Sequence, residues 1–210
     1  IWSSNLRTAD AKYSMKNEET LKYLREQKDA ASGLVKEIDE GQILDVIEAV
    51  EKTSRDGGTV YTIGNGGSAS TAKHLAADLD KTVNEDTDLS VKSKSLVSNE
   101  ALLTAWTNDA DWSEVYRGQL DDRISENDVL IAISVHGGSG PWSGNLVKAL
   151  EYASEQGAYT VGLSGFDGGK FVDKCDTTLL VEKDSTHLVE SLHVLIHHMI
   201  VFGLKERWSQ

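Results

Sequence analysis

The chain has 210 residues, 39% hydrophobic and 26% charged, with a formal net charge of −13, a length that fits one domain or one domain with an appendage. Acidic residues outnumber basic ones by 34 to 21, which repels polyanions and argues against a nucleic-acid partner. Cys175 is the only cysteine, which excludes an intramolecular disulfide; with neither a signal-peptide pattern nor a run of about eighteen apolar residues, the expectation is a cytoplasmic protein with no membrane partner.

In chain order, residues 1–54 contain no convincing strand and read as a helical N-terminal arm, followed by a single α/β domain over 55–210. Ile43, Val46, Ile47 and Val50 form a helical stripe in that arm, whereas its first half, through Leu21, Tyr23 and Leu24, is charged and suited to packing on a neighbour. After Gly57-Gly58, short apolar runs predict strands at 59–64, 93–98, 128–134, 158–164 and 176–182. Helices are expected between and after them at 68–82, 99–107, 111–122, 141–156 and 185–207. Apolar strands alternating with helices imply a doubly wound five-stranded parallel sheet, whose ligands bind at the carboxyl ends of the strands.

The first strand runs into IGNGGSASTAKHLAADL, residues 63–79. Glycines at a strand-to-helix turn let backbone amides approach an anion, and the helix N-terminus adds partial positive charge. A tight turn with no ligand is the plainer alternative. GNGGSA also satisfies the dinucleotide fingerprint G-x-G-x-x-[GA], but the second strand ends in Leu96-Val97-Ser98-Asn99 without the acid that would hold a ribose. No G-K-[ST] follows, which removes a Walker loop. A second Ser/Gly turn, ISVHGGSGPWSGN at 133–145, closes the third strand, and the pair of turns favours a phosphate held by hydroxyls and amides.

These stretches, with TND at 107–109, DGGK at 167–170 and VESLHVLIHHMI near the end, resemble the sugar isomerase (SIS) domain family and within it the phosphoheptose isomerases. That resemblance implies a flavodoxin-like sheet and isomerisation of sedoheptulose 7-phosphate to D-glycero-D-manno-heptose 7-phosphate. It also implies a cytoplasmic homotetramer with sites at subunit interfaces. It carries Ser68 and Ser134 over as phosphate contacts, with Ser139 and Ser143 in a loop about four residues longer than the family's S-x-S-G-N-S form. Asn65, Gly66 and Gly67 are further implied substrate contacts. So are Asn99, where relatives carry Asp, and Asn108 with Asp109. His136, from its place in the second turn, is a candidate ligand contact.

His74 and Asp78 stand four apart, on one face of a helix. By resemblance, Asp78 replaces a glutamate that is both metal ligand and base, and aligning VESLH with [IV]-Q-E-x-H puts Glu190 on a glutamine ligand and His198 on the catalytic histidine. The implied quartet His74, Asp78, Glu190 and His198 suits zinc. A metal-free site is the alternative, and His193 with His197 fits a metal pair or a buried stripe equally. In the implied chemistry Asp78 is the base and His198 the acid. The shorter acid at 78 favours the competing reading, a non-catalytic SIS protein that binds a phosphosugar or a protein partner.

Overall fold

A computed structural model of the chain describes residues 2–86 and 88–209, with side chains from residue 15 onward apart from that of residue 86. The chain divides into two compact units between Glu37 and Ile38. The first is built on α1 (Trp2–Val35), a long helix rich in Ala, Lys and Glu with its one glycine close to its end. Leu21, Tyr23 and Leu24 on it are about half exposed.

The division falls earlier than the 54/55 boundary expected from sequence. The reason is α2 (Glu40–Arg55): its N-terminus is capped by Asp39, whose carboxylate accepts from the amides of Gly41 (2.9 Å) and Gln42 (3.2 Å), and its stripe of Ile43, Val46, Ile47 and Val50 is buried in the second unit.

That unit continues through β1 (Thr59–Gly64), α3 (Gly67–Asp78), a π-helical segment Leu79–Val83, α4 (Asn84–Asp86) and β2 (Lys92–Ser95). Next come α5 (Glu100–Asp109), a 3₁₀ turn Trp112–Glu114, α6 (Arg117–Leu120), β3 (Val129–Ser134), a 3₁₀ turn Pro141–Ser143 and α7 (Gly144–Glu155). The unit ends with β4 (Tyr159–Gly165), α8 (Phe171–Lys174), β5 (Thr177–Val181) and α9 (Thr186–Trp208). The five strands are all parallel in the order β2-β1-β3-β4-β5, the flavodoxin-like arrangement. Every residue of β3 is buried, as expected of a central strand covered on both faces. α2, α3 and α9 pack together on the sheet, and α6, α7 and α8 make a second layer.

Two helical expectations change in detail. The helix expected over 111–122 splits into the 3₁₀ turn and α6, with Asp111 capping the turn through Ser113 (2.7 Å) and Gly118 packed against the Trp106 ring. The one expected over 68–82 becomes π-helical immediately after Asp78, a local widening that is frequent near functional groups. Among the described residues α9 alone is long and apolar enough to cross a bilayer, but half of its apolar window is buried inside the protein and it carries Glu190 and four histidines. It is the core helix of this layer.

Candidate functional site

β1 and β3 are neighbours, with Gly64 in register with Ile133, and the helices that follow them, α3 and α7, lie in different layers. The turns at their carboxyl ends therefore diverge from a shared crevice. Gly64 makes the first turn possible, since a Cβ there would lie 2.6 Å from the Ser68 carbonyl oxygen, and Gly66 adopts a φ of +57°. The two turns are fastened by a reciprocal amide pair. Asn65 Nδ2 donates to Asn145 Oδ1 (3.0 Å), and Asn145 Nδ2 donates to Asn65 Oδ1 (2.9 Å). Tyr116 donates its hydroxyl to the Gly64 carbonyl (2.5 Å), and burial pushes its pKa up to about 12. Trp112 Nε1 donates to the Trp142 carbonyl (2.7 Å), holding the second turn while the Trp142 indole stays 78% exposed.

Asn65, expected to touch substrate, thus has both ends of its amide engaged in joining the turns. Gly66 and Gly67 start α3, which receives no hydrogen bond from a capping side chain, and Ser68 is buried in its first turn. Ser134 ends β3, buried, its hydroxyl accepting from the Gly138 amide (3.3 Å), and Ser143 immediately precedes α7. His136 and Ser139 border a separate groove of about 520 Å³ with Phe166, Asp167 and Lys183.

At the other end of α3 three imidazoles surround one carboxylate oxygen. Asp78 Oδ2 lies 3.3 Å from His74 Nε2, 3.2 Å from His197 Nε2 and 3.7 Å from His198 Nε2. The ring centroids are 4.5 Å apart for His74 and His197, 5.1 Å for His74 and His198, and 4.0 Å for His197 and His198. Burial is the main cause that lowers the pKa of His197 to about 4, with the two neighbouring imidazoles acting in the same direction and the Asp78 hydrogen bond opposing them. His197 is therefore neutral and donates to Asp78, while its buried Nδ1 has no partner. One donor atom from each of the four residues lies within 4.8 Å of every other. A tetrahedral divalent ion with bonds of about 2.0–2.1 Å needs three or four such nitrogen and oxygen donors, so the set fits a metal with small side-chain adjustments. His74 and His198 remain partly exposed, which leaves the cluster accessible to a ligand.

Glu190 is not a member of this cluster. It stands eight residues before His198, about 12 Å back along α9 and about 80° around it, too far to share an ion. His197 takes the place expected of Glu190. The carboxylate of Glu190 lies instead at the glycine turn, its Oε1 2.6 Å from where a Cβ on Gly67 would sit. Three further expected contacts have local partners. Asn99 caps α5, accepting from the Leu102 amide (3.1 Å), and Asn108 donates to Asp109 (2.6 Å) at the far end of that helix. Asn108 borders a groove of about 500 Å³ with Leu103, Thr104 and Trp112. Asn145, Tyr116 and Trp112 were not anticipated, because pairings across 30 or more residues leave no periodic trace.

Comparison with known proteins agrees with this fold. Residues 22–165 match the SIS domain. The lincomycin biosynthesis protein LmbN of Streptomyces lincolnensis is 43% identical over 150 residues, 69% of this chain and 54% of that protein, so the chain spans about half of that relative. A phosphoheptose isomerase of Rhodospirillum rubrum is 34% identical over 165 residues, 78% of this chain and 84% of the relative. The structure of phosphoheptose isomerase GmhA from Neisseria gonorrhoeae superposes with a TM-score of 0.80 at 25% identity, over 90% of this chain and 98% of that one. With a matched segment that covers both Ser/Gly turns and the helix bearing His74 and Asp78, the chain belongs to the SIS domain family.

Proposed function

We propose that the protein is a phosphosugar aldose–ketose isomerase that converts sedoheptulose 7-phosphate to D-glycero-D-manno-heptose 7-phosphate through an enediolate. One observation carries this reading: α3 begins at a glycine turn suited to phosphate and, about 10 Å further along its axis, presents His74 and Asp78 to the imidazoles of α9. A sugar phosphate has its anion and its carbonyl at opposite ends of such a span. The phosphoheptose isomerases of Rhodospirillum rubrum and Aliarcobacter butzleri, each covered over most of its length, support the choice of substrate.

The backbone amides of the glycine turn, with Ser68 and Ser134, hold the phosphate. Moving the carbonyl from C2 to C1 requires taking a proton from C1 and delivering one to C2. Asp78 Oδ2 accepts the carbon-bound proton and returns it, and His198, the more exposed of the two α9 imidazoles, gives a proton to the C2 oxygen and removes one from the C1 oxygen. Without a metal, His197 donates to Asp78 and fixes its orientation. His74, Asp78, His197 and His198 would hold a zinc ion, which when bound acts as a Lewis acid on the substrate oxygens.

A cytoplasmic homotetramer completes the reading; Leu44 and Phe202, exposed apolar side chains on the packed pair α2 and α9, support association with further copies. A purely sensory role is not favoured, since binding a phosphosugar needs no convergence of three imidazoles on one acid. Incubation with sedoheptulose 7-phosphate, with and without added zinc, should yield the aldose. No turnover of any phosphoketose, together with no metal by elemental analysis, overturns the proposal.

A further inference from the structure

Glu190 has no part in the chemistry above, yet its position is specific. It stands seven residues before His197 on α9, which returns it to nearly the same side of the helix about 10 Å back along the axis. Gly67 bears the same relation to His74 on α3. Because Glu190 meets Gly67 at one end and His197 meets Asp78 at the other, α3 and α9 run in the same direction, with the glycine turn and the imidazole cluster as the two ends of one strip.

The carboxylate is seated directly on Gly67. A Cβ at that residue would lie 2.6 Å from Glu190 Oε1 and 3.3 Å from Oε2, so the absence of a side chain is what gives the acid its room. Among the described residues the Glu190 carboxylate has no hydrogen bond and no ion pair. Gly67 opens a helix whose first amides lack a side-chain cap and therefore present positive partial charge. In a chain of net charge −13, the turn suited to an external anion already faces an internal one.

We propose that Glu190 is a specificity-determining counter-anion that competes with the ligand's phosphate for the N-terminus of α3. This rests on the isomerase reading for the glycine turn as the phosphate seat. Like-charge repulsion at that seat weakens the hold on a bare phosphate. A sugar phosphate that also reaches the imidazoles about 10 Å away gains contacts there that offset the cost of moving the carboxylate aside. Glu190 thus makes retention depend on the whole ligand instead of its anion alone.

Inorganic phosphate is the probe, with its dissociation constant measured by calorimetry at pH 7.5 for the full chain. Glu190→Gln keeps the shape and removes the charge, and should bind phosphate on the order of tenfold more tightly. Glu190→Asp draws the carboxylate back from Gly67 and should fall between. Adding Ser68→Ala to Glu190→Gln should remove the gain. A carboxylate that merely caps α3 would lower the melting temperature of the Gln variant and leave phosphate affinity unchanged; that result, weaker binding by the Gln variant, or a gain that survives Ser68→Ala overturns the inference. Turnover is scored separately on the wild-type protein. If sedoheptulose 7-phosphate is isomerised and phosphate affinity does not respond to Glu190, the counter-anion role fails alone. If affinity responds but no phosphoketose turns over, the isomerase reading fails and Glu190 keeps its role.

Discussion

His197 Nε2 donates to Asp78 Oδ2 over 3.2 Å from a side chain with no exposed surface, whereas His198, its neighbour on α9, reaches the same oxygen at 3.7 Å with its ring partly in solvent. The two imidazoles therefore differ in what their removal costs. His197→Ala opens a cavity and deprives a half-enclosed carboxylate of a donor, an expected loss of about 2–4 kcal/mol in urea denaturation. His198→Ala should change stability by about 1 kcal/mol or less and lower kcat by about 100-fold or more. Equal stability of the two variants would show that the buried ring does not support Asp78.

The reciprocal amides of Asn65 and Asn145 tie the carboxyl-end turns of β1 and β3 together, and Asn145 is fully buried. Asn145→Ala leaves the Asn65 amide only its longer contacts to the Trp142 carbonyl (3.5 Å) and the Tyr116 hydroxyl (3.3 Å), at an expected cost of about 1–3 kcal/mol. A double-mutant cycle with Asn65→Ala should return a coupling of at least about 0.5 kcal/mol, as for residues in direct contact. Additive losses would mean that the pair does not join the turns.

Much of this arrangement could be read from the sequence, and what could not has physical reasons. Strands and the glycine turn are local signals, as is the His74/Asp78 spacing, since four residues on one helix fix a shared face without any tertiary knowledge. Resemblance alone put Glu190 beside His198, although eight residues of helix carry a side chain about 12 Å along the axis. His197 was legible only together with His193, as a metal pair or a buried stripe, because the spacing of four fits both. Asn99, a sugar contact by resemblance, caps α5 with its side chain, a role that a Ser-Asn-Glu start to a helix also allows. The amide pair and the Tyr116 hydrogen bond depend on which loops the sheet order brings together, information that exists only once β1 and β3 are adjacent.

Ser68 separates binding from chemistry. The proposed function gives it to the phosphate, and it lies in the first turn of α3, far along the helix from the imidazole cluster. Ser68→Ala should weaken the dissociation constant for sedoheptulose 7-phosphate by roughly 5- to 20-fold, the loss of a hydrogen bond to a charged group, and His198→Ala should leave it nearly unchanged while removing turnover. An equal loss of binding in both variants would contradict the division of roles.

His193 gives a stability signature in acid. It is buried in α9, its Nε2 donates to the Ser164 carbonyl over 3.1 Å, and its Nδ1 has no partner, so a second proton finds no acceptor. Burial lowers its pKa to about 4 from an ordinary value near 6.5, with the hydrogen bond opposing the shift. Between those two values the unfolded chain binds a proton at this residue and the folded chain does not. Stability therefore rises with pH across the window: the contribution of the neutral ring is complete above about pH 6.5 and is lost as pH falls toward 4, amounting to roughly 3 kcal/mol. Glutamine at this position can still donate to the Ser164 carbonyl but cannot titrate. In chelator-treated protein, urea midpoints taken every half pH unit from about 4 to 7 should fall less steeply with acid for His193→Gln than for the wild type. Parallel slopes would show that His193 is protonated in the folded state or reaches solvent when it is.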